Sequence, residues 1–254
     1  MKSSIDPALE EVAALDIFDA NVRVGRSGIH GDLALEAPEL VAEMDRFGIH
    51  RGLVSHFAPE EYDAGEGNRA LAECIEAQAD RLVPAWAALP DDASIRALAE
   101  RRPRAVRLSP SVHRHNFSAS SWCSGELFDY LQQNSILALI AREDVEWEAL
   151  VKLLDDFPRL RVLMLETGYR ADRYLFPLFS RFPNLYFDGS TYVAHRQLEA
   201  YVNRFGADRL VFGSRLPLYT PGSSLCVLLT ARISAEERAA IAGHTLRRLL
   251  ETNN

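Results

Sequence analysis

The chain has 254 residues, of which 48% are hydrophobic and 25% are charged, and its formal net charge at pH 7 is −8. These proportions are ordinary for a globular protein, and the length suits a single (β/α) barrel. The negative charge argues against nucleic-acid binding, and no apolar run reaches the roughly 18 residues that would span a membrane. The three cysteines lack Cys-x-x-Cys spacing and the start lacks the apolar core of a signal peptide, so we expect a cytoplasmic protein with free thiols.

Short apolar segments rich in β-branched and aromatic residues alternate with amphipathic segments, which predicts βα units and a parallel sheet. Eight strands are expected, in chain order at Ile17–Val22, Gly52–His56, Leu82–Ala87, Ala105–Ser109, Ile136–Ala141, Arg161–Leu165, Leu185–Gly189 and Arg209–Gly213. Helices are expected between them, including Ala37–Phe47, Asn68–Ala79, Gly125–Gln133, Trp147–Phe157 and Arg196–Phe205. Several of these helices are followed by Gly or Pro, which are common helix-stop residues.

The C-terminal segment Ile233–Glu251 predicts two short helices, the first with Ser234 as N-cap and Glu237 in the capping-box position. The chain shows no repeat, linker or low-complexity segment. We therefore expect residues 1–254 to form a single α/β domain, a (β/α)8 TIM barrel with one or two extra C-terminal helices. An open doubly wound sheet would give a similar alternation, but no Gly-x-Gly-x-x-Gly follows a strand.

The clearest motifs lie between Phe157 and Leu250, where the sequence reads FPRLRVLMLETGYR, RFPNLYFDGSTY, FGADRLVFGSRLP and ISAEERAAIAGHTLRRLL. The opening strand lies in DIFDANVRVGRSG. These motifs resemble those of the amidohydrolase-related family, whose members are metal-dependent hydrolase-like TIM barrels. The resemblance implies a site at the carboxyl ends of the barrel strands.

The metal-ligand positions of that family carry other residue types in this chain. They fall on Asn21 and Arg23 (the opening His-x-His pair), on Ala141 or Arg142 (strand five), on Glu166 (the histidine of strand six) and on Arg215 (the aspartate of strand eight). A guanidinium has no lone pair to donate, and a catalytic zinc site needs about three protein ligands. The resemblance therefore implies a barrel whose metal ligands have been replaced, and we expect no cofactor.

Two hypotheses explain the arginines at these positions. In the first, Arg23 and Arg215 pair with Glu166, and with Asp188 if a second carboxylate is needed, and fill the old site with ion pairs. In the second, the two arginines clamp a small carboxylate or phosphate through bidentate hydrogen bonds. Both hypotheses require a partner for each arginine, because an unpaired buried charge costs several kcal/mol.

Arg107 lies on the fourth predicted strand and alternates with Ser109, so its side chain is expected to face the barrel interior. There it would need a carboxylate, and Glu166 or Asp188 is the expected partner.

Three histidines are further candidates. His56 ends the second predicted strand and is the best candidate for a general acid or base, because a free imidazole titrates near pH 6.5; the alternative is a loop histidine bound to backbone. His113 and His115 follow the fourth strand with His-x-His spacing. We expect them to line the pocket or cap backbone groups rather than to form a relocated metal site.

Three functions fit these features. The first is a metal-independent hydrolase-class enzyme that opens a lactone or amide, or carries out a related step, on a small anionic substrate. In it Asn21, Arg23, Arg107, His113, His115 and Arg215 would bind the substrate, while Glu166 or His56 moves a proton. The second is a pseudoenzyme that forms a homo-oligomer or a complex with an active homologue. The third is a zinc hydrolase with relocated ligands.

Overall fold

The computed structural model describes residue 12, residues 14–31 and residues 33–251. Within them, nine strands form one sheet in the order β2-β1-β3-β4-β5-β6-β7-β8-β9. The strands are β1 (Ile17–Arg26), β2 (Ala34–Leu35), β3 (Ile49–His56), β4 (Leu82–Ala87), β5 (Ala105–Leu108), β6 (Leu137–Ala141), β7 (Val162–Leu165), β8 (Leu185–Asp188) and β9 (Leu210–Val211). Only β2 is antiparallel to its neighbour, β1, and the other eight strands run parallel.

Helices follow or connect these strands. They are α1 (Ala37–Arg46), α2 (Ala58–Glu61), α3 (Ala64–Ile75), α4 (Asp92–Arg101), α5 (Ser121–Gln133), α6 (Trp147–Asp156), α7 (Asp172–Arg181), α8 (Gln197–Phe205), α9 (Pro221–Thr230), α10 (Ala235–Ala239) and α11 (Thr245–Leu250). A π-helical turn, Ala240–His244, joins the last two. None of the described helices is long and apolar enough to cross a membrane.

The sheet closes on itself where the chain leaves β9 and returns to β1. The backbone amide of Ala20 donates to the carbonyl of Phe212 at 2.9 Å, and that of Arg23 donates to the carbonyl of Leu216 at 2.9 Å. A parallel bridge joins Val22 to Leu216. The eight parallel strands therefore form a closed barrel, as the sequence predicts.

The barrel encloses a compact apolar interior. Its side chains include Phe18, Leu53, Leu139, Leu163 and Val211, all at most 1% exposed. Three leucines of α11 (Leu246, Leu249, Leu250) belong to the same cluster and therefore close the amino-terminal end of the barrel. A larger apolar layer packs the outer faces of the strands against the helices. These apolar side chains fill the barrel interior. A cluster of polar side chains therefore has room only at the carboxyl-terminal end of the barrel, here called the mouth.

The predicted strand centres are confirmed, and the ends differ by a few residues. The largest difference is β1, which continues to Arg26 because β2 folds back on it as a short hairpin that pairs Gly25 with Leu35. β1 also has register shifts against β3 between Ile17 and Phe18 and between Asp19 and Val22. The predicted capping box of Ser234 and Glu237 is present at the start of α10.

Candidate active site at the barrel mouth

Three arginine side chains converge at the mouth. Arg23 lies on β1, Arg107 lies on β5, and Arg215 follows β9. Arg23 and Arg107 are only 5% and 3% exposed. The side chain of Arg215 is 19% exposed, so it is the most accessible of the three. Guanidinium groups stay charged at neutral pH, so the mouth holds a concentrated positive charge that must be balanced.

Glu60 balances two of these arginines at once. It lies on α2, the short helix after β3, and its side chain is 4% exposed. One carboxylate oxygen, Oε2, lies 2.9 Å from Nη1 of Arg23, and the other, Oε1, lies 2.5 Å from Nε of Arg107. Burial alone would raise the pKa of Glu60, but the charges of Arg107 and Arg23 outweigh it and lower that pKa. Glu60 is therefore a buried carboxylate anion that bridges two cations.

Glu166 balances the third arginine. It follows β7 directly, and its backbone has a φ of 60°, a left-handed conformation that is uncommon for a residue with a side chain. Its Oε2 lies 2.7 Å from Nε of Arg215, and its Oε1 lies 3.7 Å from Nη2 of Arg107. The unusual backbone conformation places the carboxylate across the mouth between these two arginines.

Asn21 connects the two halves of the network. Its amide nitrogen donates to Oε1 of Glu166 and to Oδ2 of Asp188, both at 3.2 Å. Its amide oxygen accepts from Nη1 of Arg107, also at 3.2 Å. Asn21 is 1% exposed, so these contacts use its polar atoms away from solvent. The side chain thus acts as a neutral linker between carboxylates and a guanidinium.

Two fully buried aspartates lie beneath this network. Oδ1 of Asp19 accepts from the backbone amides of Asn21 (2.9 Å) and Ser214 (3.0 Å), and so ties β1 to the segment after β9. Oδ1 of Asp188 accepts from the backbone amide of Glu166 at 2.8 Å. Burial raises the pKa of Asp19 to about 7 and that of Asp188 to about 6. Both carboxyls can therefore gain or lose a proton near neutral pH.

The raised pKa of Asp19 predicts a specific pH dependence of stability. A carboxyl with a raised pKa in the folded state favours the protonated form, so its contribution is complete below the ordinary pKa of 3.8 and is lost as the pH rises through about 7. Asn cannot titrate but keeps an oxygen for the two backbone amides. Between pH 5 and pH 8, the free energy of unfolding of the wild type should fall relative to that of Asp19→Asn by about 2–3 kcal/mol.

Urea unfolding of both proteins at several pH values tests this expectation. The comparison is needed because the lowered pKa of His56, caused by burial, acts in the opposite direction below pH 6.5, and the lowered pKa of Glu60 does so at still lower pH. Both of those groups are common to the two proteins and cancel in the difference. Asp188, whose raised pKa acts in the same direction as that of Asp19, is also common to both and cancels apart from its charge interaction with Asp19. A difference that stays constant from pH 5 to pH 8 would contradict the assignment of a near-neutral pKa to Asp19.

The three candidate histidines lie around the network rather than within it. Nδ1 of half-buried His56 accepts from the backbone amide of Ala58 at 3.0 Å, which is the backbone-bound alternative considered from the sequence. Nε2 of His115 lies 2.5 Å from the carbonyl oxygen of Pro59, so this ring holds the segment that carries Glu60. His113 is exposed. The structure thus gives His115 a backbone contact and places no histidine in the ion-pair network described above.

The predicted partners of the arginines were only partly right. Arg215 pairs with Glu166 as expected, and Arg107 faces the interior and contacts Glu166, though at a longer distance than Glu60. The expectation that Arg23 pairs with Glu166 or Asp188 is wrong, because its carboxylate partner is Glu60. The reason is proximity: β3 neighbours β1, so the loop after β3 reaches Arg23 directly. Consecutive glutamates after a strand end, Glu60 and Glu61, were the available sequence signal.

The described part of the chain contains no group of three or more His, Cys, Asp or Glu side chains that could hold a metal ion. Of the residues that the resemblance assigns to ligand positions, Asn21, Arg23 and Arg215 each contact a carboxylate. Arg142, which the resemblance offers for strand five, donates to the carbonyl of Val145 at 2.7 Å.

Comparison with known proteins gives the same architecture. The sequence model of the amidohydrolase family matches residues 36–252. No curated protein matches the chain. Among solved structures, a 2,6-dihydroxybenzoate decarboxylase complexed with 2,6-dihydroxybenzoate superposes with a TM-score of 0.77 at 15% identity, over 93% of this chain and 99% of that one.

Two further solved structures are similar over nearly their full lengths. A dihydroxybenzoic acid decarboxylase from Polaromonas sp., with bound manganese and the inhibitor 2-nitroresorcinol, has a TM-score of 0.75 at 14% identity, covering 94% of this chain and 98% of that one. A putative 2-pyrone-4,6-dicarboxylic acid hydrolase from Pseudomonas putida has a TM-score of 0.71 at 16% identity, covering 93% and 97%. Sequence identities this low establish only that the fold is shared. The match to the family model spans most of the sequence, and it shows that the chain belongs to the amidohydrolase family.

Proposed function

We propose that this chain is a non-catalytic member of the amidohydrolase family, in which a network of buried ion pairs stands in place of the metal centre. The observation that carries the proposal is that Arg23, Arg107 and Arg215 each contact a carboxylate of the protein itself. A substrate clamp needs donors that remain available to the substrate. Here the positive charges of the guanidinium groups are already balanced by the carboxylates of Glu60 and Glu166, so the first of the two hypotheses for these arginines is favoured.

The donor chemistry at the mouth does not fit a divalent metal. Glu166 is the carboxylate at a family ligand position, and Arg215 and Asn21 already occupy its two oxygens. A dication would have to displace a cation that is 2.7 Å away, and the neighbouring guanidinium groups would repel it. We infer that the arginines supply the positive charge that a metal ion supplies in other sites of this type, without its ability to activate water.

Metal analysis tests this proposal directly. Protein purified without chelator, then incubated with Zn²⁺ or Mn²⁺ and desalted, should contain far less than one ion per chain by elemental analysis. The matched positive control restores the family residue types at four of the ligand positions, with Asn21→His, Arg23→His, Glu166→His and Arg215→Asp in one variant, which should retain more metal. One tightly bound ion per wild-type chain would overturn the proposal and favour the relocated zinc site.

A second candidate is a metal-independent enzyme acting on a small carboxylate, and one observation favours it. Asp19 and Asp188 have pKa values raised to about 7 and about 6, in the range useful for proton transfer, and both contact Asn21 from beneath the mouth. The partly exposed Arg215 would then bind the substrate carboxylate. The compound bound in the similar decarboxylase, 2,6-dihydroxybenzoate, is a reasonable probe of this class.

Ligand binding separates the two candidates. The non-catalytic proposal predicts that 2,6-dihydroxybenzoate at millimolar concentration leaves the melting temperature unchanged, because the arginines are already paired. The enzyme candidate predicts a rise in melting temperature that Arg215→Gln abolishes, together with turnover of an aromatic acid or lactone. Turnover by the wild type that is absent in Arg215→Gln would decide for the enzyme.

A further inference from the structure

The large hydrophobic side chains that are well exposed in the described residues share one location. All of them lie in the segments that follow the carboxyl ends of the strands, on the surface that surrounds the mouth; we call this surface the mouth face. Six of the segments carry at least one, namely Ile29 after β1, Tyr62 after β3, Trp122 after β5, Tyr169 after β7, Val193 after β8 and Tyr219 after β9.

The exposed hydrophobic side chains are therefore concentrated on one face of the barrel instead of being spread over its surface. Single exposed apolar residues are normally scattered over a protein surface, whereas exposed residues gathered on one side mark an interaction surface. Trp122 and Tyr62 are 81% and 72% exposed, so they contribute little to the stability of the isolated chain. Aromatic side chains are enriched in protein interfaces, which makes the mouth face the best candidate docking surface of the described structure.

The charges on the mouth face are also divided. Arg170, Arg173 and Arg196 are exposed on the segments after β7 and β8, which we call the basic side. The segments after β3 and β4, the acidic side, expose Asp63, Glu66, Asp91 and Asp92. Arg69 is also exposed there and pairs with Glu66, so the acidic side has an excess of negative charge rather than negative charge alone.

These two sides are diametrically opposed. Among the eight parallel strands, β3 and β4 are second and third, and β7 and β8 are sixth and seventh, so half the barrel separates them. A rotation by 180° about an axis in the plane of the mouth face exchanges these two sides. Two copies related in this way would place each basic side against the acidic side of the other, as an isologous interface requires.

We propose that the mouth face binds a second copy of this chain, mouth to mouth, in a two-fold symmetric dimer. The apolar side chains supply the buried area, and the opposed charges fix the relative rotation of the two copies. Charge complementarity selects this partner, because the basic side of each copy meets the acidic side of the other. The net charge of −8 opposes any arrangement that brings the two acidic sides together. This inference rests on the exposed side chains of the mouth face, one of which, Tyr219, lies over Arg215. A monomeric wild type would contradict the dimer and leave the proposed function of the buried network unaffected.

Charge reversal on each side, measured by light scattering after size exclusion, tests the dimer. Wild type should be dimeric at micromolar concentration. Arg170→Glu with Arg173→Glu, and separately Glu66→Lys with Asp92→Lys, should each weaken the dimer by at least about 100-fold, because every reversal faces a like charge twice. Arg159→Glu, an exposed position between α6 and β7 at the other end of the barrel, is the matched control and should leave the dimer intact.

Mixing the two reversed variants tests the orientation. In the mixed dimer, the new acidic side of one copy faces the new basic side of the other, and the two unaltered sides also face each other. The mixture should therefore recover dimer formation, while each variant alone stays monomeric and keeps the far-ultraviolet circular dichroism of a folded chain, with a melting temperature lowered only by the loss of association. A monomeric wild type, a dimer that neither reversal weakens, or a mixture that remains monomeric would overturn the proposal.

Discussion

Glu60→Gln is expected to lower the free energy of unfolding by about 3–5 kcal/mol, a large change for a substitution that replaces one carboxylate oxygen by an amide nitrogen. The shape of the side chain is nearly unchanged, so packing losses are small. The loss arises because Arg23 and Arg107 keep their charges, are 5% and 3% exposed, and would lose the anion that lies between them. A buried charge without a partner is among the most costly defects in a protein interior.

Chemical denaturation with matched m-values measures this loss, and the melting temperature should fall by about 6–20 °C for a domain of this size. Glu43→Gln is the matched control. Glu43 also pairs with an arginine, Arg46, but the two side chains are 40% and 65% exposed, so the loss should be about 0.5 kcal/mol or less. Similar losses in the two variants would show that burial does not set the strength of the Glu60 ion pairs.

The sequence predicts the barrel well because its signals are local. The strand centres follow from short apolar segments between helix-stop residues, and the positions of Arg23, Arg107 and Arg215 at the carboxyl ends follow from strand direction alone. The continuation of β1 to Arg26 was missed because it depends on pairing with β2, two residues whose strand character is not visible without their partner.

The pairing within the site is harder to predict because it depends on a loop. Glu60 reaches the mouth only because α2 follows β3 at once and is held by a contact between His115 and Pro59. Nothing in the spacing of Glu60 and Glu61 states which of the two turns inward. The structure shows that Glu61 instead accepts from the hydroxyl of Ser27 at 2.8 Å, at the rim. Tertiary contacts therefore decide which of the two glutamates faces the mouth.

The position of the exposed aromatic residues on one face is another feature that the sequence alone does not predict. Tyr62, Trp122 and Tyr219 lie far apart in the sequence, Tyr62 and Tyr219 in loops and Trp122 at the start of α5. They share a face only because parallel strands bring all their carboxyl ends to one side of the barrel. Periodicity within an element identifies its buried face, but it carries no information on which loops become neighbours.

The second large effect is expected when the whole bridge, rather than one member, is removed. We predict that Arg23→Met, Glu60→Leu and Arg107→Met combined in one chain will restore stability to within about 2 kcal/mol of the wild type, although Glu60→Gln alone loses more. The reason is that burying apolar side chains in the mouth costs no desolvation energy. In the wild type, the ion pairs of Arg23, Glu60 and Arg107 must first offset the cost of removing three charges from water. The recovery should be incomplete, because Arg107→Met also leaves the amide oxygen of Asn21 without its donor.

This combined variant distinguishes structural arginines from functional ones. If the network serves only to fill the mouth, then the triple variant keeps the fold, the far-ultraviolet circular dichroism and the oligomeric state of the wild type, since Leu and Met occupy similar volumes. If Arg23 and Arg107 bind a ligand, the variant folds equally well but loses every effect of added small carboxylates on the melting temperature of the wild type. A triple variant that is less stable than Glu60→Gln would instead show that the three charges stabilise the barrel beyond their desolvation cost, which contradicts the expectation for a buried ion bridge.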